Sequence, residues 1–240
     1  MSIAQKTKEK MDNIPVGSVF TIADFEMEPQ YQPALVVTLG RMVKQGIISK
    51  VSKGKYYKPK QSIFGTLLPA TDEIVKDFLQ KSDKTIGYVT GTRAFAEMGL
   101  TTQISSTITV GTNKYRGPLK RGEYQINFLL QPNPIREEQI PLLRILDAVR
   151  LIKRIPAISP DECVSRIGKR ITALPIDKQG EIADLALAYA PYVRALTGAI
   201  LEQIGTVNTH SLRLSLNGVT SYKLSLSEQI LPNKRNWNIL

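Results

Sequence analysis

Between Pro33 and Lys58 the hydrophobic period changes once, and a glycine marks the change. Leu35, Val36, Leu39, Met42 and Val43 recur at spacings of one, three and four, a single stripe along a helix running from Pro33 to Gln45. Gly46 then supplies the left-handed residue on which such a helix ends. Two short extended arms follow, Ile47-Ile48-Ser49-Lys50-Val51 and Tyr56-Tyr57-Lys58, around Ser52-Lys53-Gly54-Lys55. A glycine-containing tip between two such arms predicts a hairpin. A helix that stops on glycine and runs directly into a hairpin leaves few folds open.

The residues upstream narrow them further. Ser2 to about Met11 suits a first helix with Ile3, Thr7 and Met11 on one side, and Val16 to Phe20 is extended. Thr21, with Asp24 three residues later, has the pattern of a capping box, so a short second helix begins there, and Glu28-Pro29-Gln30 turns the chain into the third. Three helices followed by a basic hairpin predict an α+β protein: an N-terminal winged helix-turn-helix domain over residues 1–60, then a mixed α/β domain over residues 61–240 with a helical second half. Strict alternation lets only one of Tyr56 and Tyr57 close the small core, and Tyr56 is the expected one. Val37 is expected at the core's edge.

Charge follows the same division. The chain has 32 Lys+Arg against 21 Asp+Glu, a formal net charge of +11. Residues 31–60 hold Arg41, Lys44, Lys50, Lys53, Lys55, Lys58 and Lys60 and no acidic residue, whereas a solvated face ordinarily mixes both signs. Some winged helices bind proteins, but this charge asymmetry favours duplex DNA as the expected partner, with the third helix in the major groove. The outer face of that helix offers Gln32, Thr38, Arg41 and Lys44, and Gln30, Tyr31 and Gln32 stand where it enters the groove. Glutamine pairs bidentately with adenine and arginine with guanine. Lys50, Lys53, Lys55 and Lys58, with the Ser52 and Tyr57 hydroxyls, suit phosphates, which position a protein without specifying sequence.

Pro59 to Pro69 reads as a linker, with turn formers around Ile63-Phe64. Beyond it, Thr71-Asp72-Glu73 opens a helix through Leu79, and Ile86 to Val89 is a strand. Thr90-Gly91-Thr92 caps a helix ending at Gly99, and Thr107 to Val110 and Gln125 to Leu130 alternate as strands. Arg136 to Arg154 carries Leu142, Leu146, Val149 and Ile152 or Ile155 on one stripe. Ser159-Pro160-Asp161-Glu162 is a strong helix start. The pattern Ile182, Leu185, Tyr189, Val193, Leu196, Ile200 and Ile204 is broken by Pro191, which predicts a kink or a restart. Leu212, Leu214 and Leu216 alternate into Asn217-Gly218 ahead of Tyr222 and Leu224, which predicts a hairpin. Trp237 is expected to pack as an anchor.

The residues carry little catalytic chemistry. His210 is the only histidine and Cys163 the only cysteine. Neither a histidine-rich metal site nor an intrachain disulfide is therefore available. Cys163 beside Val164 and Ile167 reads as a small buried residue. Thr90-Gly91-Thr92 joins a strand to a helix like a phosphate-binding turn, but lacks the lysine and second glycine of a P-loop. Glu137-Glu138 and Asp161-Glu162 are explained by capping. No catalytic residue, metal or cofactor is expected. Apolar runs are too short to span a bilayer, the first residues lack the apolar stretch of a signal peptide, and a lone cysteine suits a reducing compartment, so a cytoplasmic protein with no membrane partner is expected. The enzymatic alternative uses Lys114 to Arg121 as a nucleic-acid groove. The nearer alternative is a transcription regulator whose second domain senses a ligand or dimerises.

Four segments together resemble a known family: Gly46-Ile47-Ile48 with Gly54-Lys55-Tyr56; Gly87-Tyr88-Val89-Thr90-Gly91-Thr92; Gly99-Leu100-Thr101-Thr102-Gln103; and Arg194-Ala195-Leu196-Thr197-Gly198-Ala199-Ile200-Leu201-Glu202. They are similar to the DUF6088 group of bacterial proteins, related to the AbiEi antitoxins of abortive-infection, type IV toxin–antitoxin systems. The resemblance implies an antitoxin whose N-terminal domain binds its own promoter and represses the operon. It also implies that the larger domain counters a toxin of the nucleotidyltransferase type, without a stable complex being required. The helical stretch from Arg136 to Gly205 departs from the AbiEi arrangement.

Overall fold

A computed structural model describes residues 3–63 and 65–240. Ser2, at the start of the expected first helix, and Phe64, in the expected linker, lie outside them. The architecture is mixed α+β, with helices and several small sheets. The chain divides into two compact units, residues 1–77 with 119–125 and residues 78–118 with 126–240. No helix among the described residues is long and apolar enough to cross a membrane.

The smaller unit begins with α1 (Ile3–Asn13), which buries Thr7 and Met11. Strand β1 (Val19–Thr21) follows, and then a 3-10 turn over Ile22–Phe25 that starts as its sequence predicts: the Asp24 carboxylate accepts the Thr21 backbone N–H at 2.6 Å. A second 3-10 turn over Pro29–Tyr31 leads into α2 (Gln32–Lys44), which buries Leu35 and Leu39. At its end Gly46 N–H bonds to the Val43 carbonyl and Ile47 N–H to the Met42 carbonyl, with Gly46 at φ +75°. That pair of bonds satisfies carbonyls the helix leaves open, and the left-handed residue it needs is a glycine. Strands β2 (Ser49–Ser52) and β3 (Lys55–Tyr57) then complete a three-stranded antiparallel sheet in the order β1-β3-β2.

Register explains the first departure from expectation. Phe20 pairs with Tyr56 and Val19 with Tyr57, so each pair lies on its own face of the sheet. Phe20 and Tyr56 stack at 6.0 Å in the core with Met11, Phe25, Leu35, Leu39 and Ile48. Tyr57 and Val19 are buried as well, at 5% and 1% exposed. Tyr56 thus closes the small core as expected, and the departure is Tyr57, expected to face phosphate but buried on the sheet's other face. The sheet is covered on two faces: Leu68, Pro69, Ile74 and Tyr124 share a cavity wall with Tyr57.

The expected linker is also structured. β4 (Lys60–Ser62) and β5 (Gly65–Leu67) pair antiparallel, and α3 (Thr71–Leu79) carries the chain across the boundary between units at Asp77. Glu73 accepts the backbone N–H of Val19 at 2.7 Å, and Asp77 takes a bidentate contact from Arg121 at 2.6 and 2.7 Å and another from Lys55 at 3.0 Å. Burial pushes the Asp77 carboxyl up, but the hydrogen bonds and charges of Arg121 and Lys55 outweigh it and hold it below its ordinary value. The smaller unit thus reaches past residue 60.

In the larger unit a short pair, β6 (Gln80–Lys81) and β7 (Lys84–Thr85), precedes β8 (Gly87–Thr90) and α4 (Thr92–Glu97). β9 (Thr107–Thr112) pairs antiparallel with β8. β10 (Leu119–Arg121) and the first residues of β11 (Tyr124–Leu130) count with the smaller unit, and the rest of β11 lies beside β9. The helical half consists of α5 (Ile140–Arg150), α6 (Pro160–Thr172), α7 (Ile176–Ala186), α8 (Pro191–Ile204) and α9 (His210–Leu214). Pro191 restarts the helix, as read, and Ser159 caps α6 through the Glu162 N–H at 3.2 Å. The expected hairpin at Asn217-Gly218 is absent. Leu212 and Leu216 turn inward four residues apart, leaving Leu214 71% exposed, which is helical spacing and not alternation. Asn217 still makes a turn, its side-chain oxygen accepting the Val219 N–H at 3.0 Å.

Trp237 anchors the C-terminal segment, fully buried. Its Nε1 donates to Glu202 at 2.8 Å, and a Cβ on Gly198 would stand 2.2 Å from its ring.

Candidate nucleic-acid interface

The surface that α2 turns away from its core is set by the stripe that buries it. Leu35 and Leu39 point inward, so Pro33, Val37, Gly40, Arg41 and Lys44 fall on the opposite side. Arg41 and Lys44 are exposed, and so are Gln30, Tyr31 and Gln32 at the helix start. Gln30 donates to Glu28 at 2.8 Å. Thr38 is half-buried and its hydroxyl donates to the Ala34 carbonyl at 2.9 Å, so it serves the helix and not the outer face. Val37, expected at the core's edge, is 53% exposed.

The hairpin divides its lysines. Lys50 and Lys53 are exposed, with Ser52 half-buried between them, and a bulge at Lys50–Ser52 lies next to the Gly54 tip. Lys55, expected to face phosphate, is only 17% exposed at its side chain and is tied to Asp77. Lys58 reaches the carbonyls of Met11 and Ile14 at 3.3 and 3.4 Å, where a cation satisfies the end of α1. Tyr57 is buried. Of the expected phosphate contacts, Lys50, Ser52 and Lys53 reach the surface, and Lys55, Tyr57 and Lys58 are spent inside the unit. Among the described residues, Arg41, Lys44, Lys50 and Lys53 form no ion pair. A sequence signal for Tyr57 existed: adjacent apolar pairs at Val19-Phe20 and Tyr56-Tyr57 are what a strand covered on both faces requires.

The larger unit holds a buried polar cluster that sequence reasoning missed. Asp147, in the apolar stripe of α5, is wholly buried and accepts from Tyr88 at 2.7 Å, Thr90 at 2.8 Å and Tyr189 at 3.3 Å. Gln131 donates to both tyrosine hydroxyls, at 2.6 and 2.7 Å. Burial raises the Asp147 carboxyl to about 6 despite these hydrogen bonds, and burial also raises both tyrosines. An aspartate between Leu146 and Ala148 in an apolar helix was the available signal. The Gln131 side-chain oxygen in turn accepts from the backbone N–H and the side-chain amide of Asn133 at 3.0 and 3.3 Å, so these polar atoms are taken up within the core.

The remaining sequence candidates resolve by packing. A Cβ on Gly91 would meet the Thr109 side chain at 2.7 Å, so that glycine answers to β9, and the Thr90 hydroxyl is taken by Asp147. Burial pushes the Cys163 thiol up to about 12, which makes it unreactive. In the basic segment, Arg116 lies over the rings of Phe78 and Phe128 at 5.2 and 5.9 Å, and Arg121 is held by Asp77. Lys114 and Lys120 are exposed. Elsewhere in the larger unit a cleft of about 580 Å³ is lined by Arg150, Lys153, Arg154, Lys223, Tyr192 and Tyr222 among others, with no carboxylate in its wall. The Tyr222 hydroxyl is buried without a hydrogen-bond partner among the described residues.

No curated protein matches this sequence. Among solved structures, the chain is similar to the RV2827C protein from Mycobacterium tuberculosis, at 12% identity and a TM-score of 0.47, over 91% of this chain and 83% of that one. The model of DUF6088, a family of unknown function, matches residues 6–138, more than half of the 240 residues, and the chain belongs to that family.

Proposed function

We propose that this chain is a duplex-DNA-binding autorepressor and antitoxin whose smaller unit works as a winged helix-turn-helix. In that reading α1, the 3-10 turn at Ile22–Phe25 and α2 are the three helices, α2 enters the major groove, and the β2–β3 hairpin follows the backbone. The observation that carries it is the set Arg41, Lys44, Lys50 and Lys53: four cations on α2 and the hairpin, all exposed and none paired to a carboxylate among the described residues. Four phosphate contacts give a slope of about −4 in log affinity against log salt. A titration of labelled duplex from upstream of its own gene measures that slope, and a slope near zero rejects DNA binding.

The antitoxin role rests on the likeness to AbiEi-type antitoxins, with a nucleotidyltransferase-type toxin as functional partner. The test is growth rescue from a nucleotidyltransferase-type toxin driven from an unrelated promoter, alongside a reporter of the chain's own promoter. Repression without rescue leaves a regulator and removes the antitoxin. The cationic cleft with its unpartnered Tyr222 hydroxyl favours a second reading for that case, a regulator whose larger unit takes an anionic ligand. A rise in melting temperature with nucleotides or inorganic phosphate would mark it, lost in Lys153→Ala with Lys223→Ala.

A further inference from the structure

The glycines of this chain mostly have reasons inside it. Gly46 and Gly54 stand at positive φ, and Gly198 lies against the Trp237 ring. Gly40 has none. It sits within α2, where its backbone is not left-handed, and a Cβ there would meet nothing within 4 Å. Glycine inside a helix is unfavourable relative to alanine, because it surrenders the most backbone freedom on folding. The chain therefore carries a weakened helix at a position where alanine fits.

The surroundings say what a Cβ would obstruct. Val37 and Lys44 lie one turn to either side of Gly40 on the outward face, with Arg41 adjacent. Val37 is 53% exposed, an apolar side chain set among cations. No acidic residue occurs from residue 31 to residue 60, so the complement of this face is anionic. A major groove offers that complement and more: thymine methyls suit Val37, guanine edges suit Arg41, and phosphates suit Lys44. We infer that the Val37–Gly40–Lys44 face of α2 is pressed against the floor of a DNA major groove, with Gly40 the point of closest approach and Val37 reading a thymine methyl. This inference rests on the DNA-binding reading above and adds where and how closely the helix docks.

It makes stability and binding move in opposite directions. In the full-length chain, Gly40→Ala should raise the melting temperature by about 2–8 °C, from restored helix propensity. The same variant should bind duplex from upstream of its own gene about tenfold more weakly, the size of one lost close contact. Val37→Ala should reduce the preference for that duplex over a scrambled one of equal composition, leaving affinity for the scrambled duplex unchanged. A lower melting temperature for Gly40→Ala would show that the chain itself needs the glycine and overturn the inference. Unchanged affinity would overturn it too, while leaving DNA binding intact. If the unaltered chain binds neither duplex at low salt, the DNA-binding reading falls and this docking falls with it.

Discussion

Lys53 and Lys55 stand two residues apart on one hairpin and have different surroundings. Lys53 is exposed, whereas Lys55 is bound to Asp77. Lys53→Ala should weaken binding to every duplex alike and make the salt slope shallower by about 1. Lys55→Ala should leave the slope in place and lower the smaller unit's stability by up to about 1 kcal/mol, since the pair is partly exposed. Because the Asp77 carboxyl is held below its ordinary 3.8, the stability it supplies is present at neutral pH and lost as pH falls below that value. Asp147 runs the other way. Its carboxyl rises from 3.8 to about 6 on folding, so the folded state binds the proton more tightly, and stability falls as pH climbs through that window. The penalty above it is about 3 kcal/mol, from roughly two pKa units. Thermal melts across this range should show the advantage of wild type over Asp147→Asn shrinking as pH rises. An unchanged difference would mean the carboxylate stays charged in the folded chain.

At the scale of elements, the C-terminal segment is locked to α8 by a glycine. Gly198→Ala would place a methyl 2.2 Å from the Trp237 ring, and the two cannot both stay. Overpacking of this kind should cost about 1–3 kcal/mol. A double variant with Trp237→Leu should recover part of the loss relative to Trp237→Leu alone, read from urea midpoints. α9 teaches a related point. Leu212, Leu214 and Leu216 contain a two-residue period and a four-residue one, and only the hydrophobic cluster they meet selects between them. With Leu212 and Leu216 inward, the segment is helical and Asn217-Gly218 makes a turn that joins no hairpin.

At the scale of the whole molecule, the smaller unit is closed by residues that are remote in sequence. Residues 119–125 return to it, and Arg121 holds Asp77 and the Ile74 carbonyl from there. A fragment of residues 1–60 lacks that cover and leaves Tyr57 without one side of its burial, so it should melt well below the smaller unit of the full chain. Trp237 is the only tryptophan and lies in the larger unit, so its fluorescence follows that unit alone. Arg121→Ala should lower a far-UV circular dichroism transition while leaving the tryptophan transition in place. A shift of both together would mean the units unfold as one.

The sequence by itself determined what depends on neighbours along the chain. The α2 stripe and its end at Gly46, the Gly54 hairpin, the Ser159 cap, the restart at Pro191 and the strands β8, β9 and β11 all follow from local spacing, φ limits and missing donors. The acid-free cationic stretch was equally legible. Only the tertiary structure decided which of its lysines remain outside, because Asp77, Arg121 and the carbonyls of Met11 and Ile14 come from elsewhere in the chain. The burial of Tyr57, the pairing of Lys60–Ser62 with Gly65–Leu67 and the hydroxyl cluster around Asp147 share that cause. Each depends on a second face or partner brought in by long-range packing, and a local period records only that a side chain is apolar or polar, never what arrives to cover it.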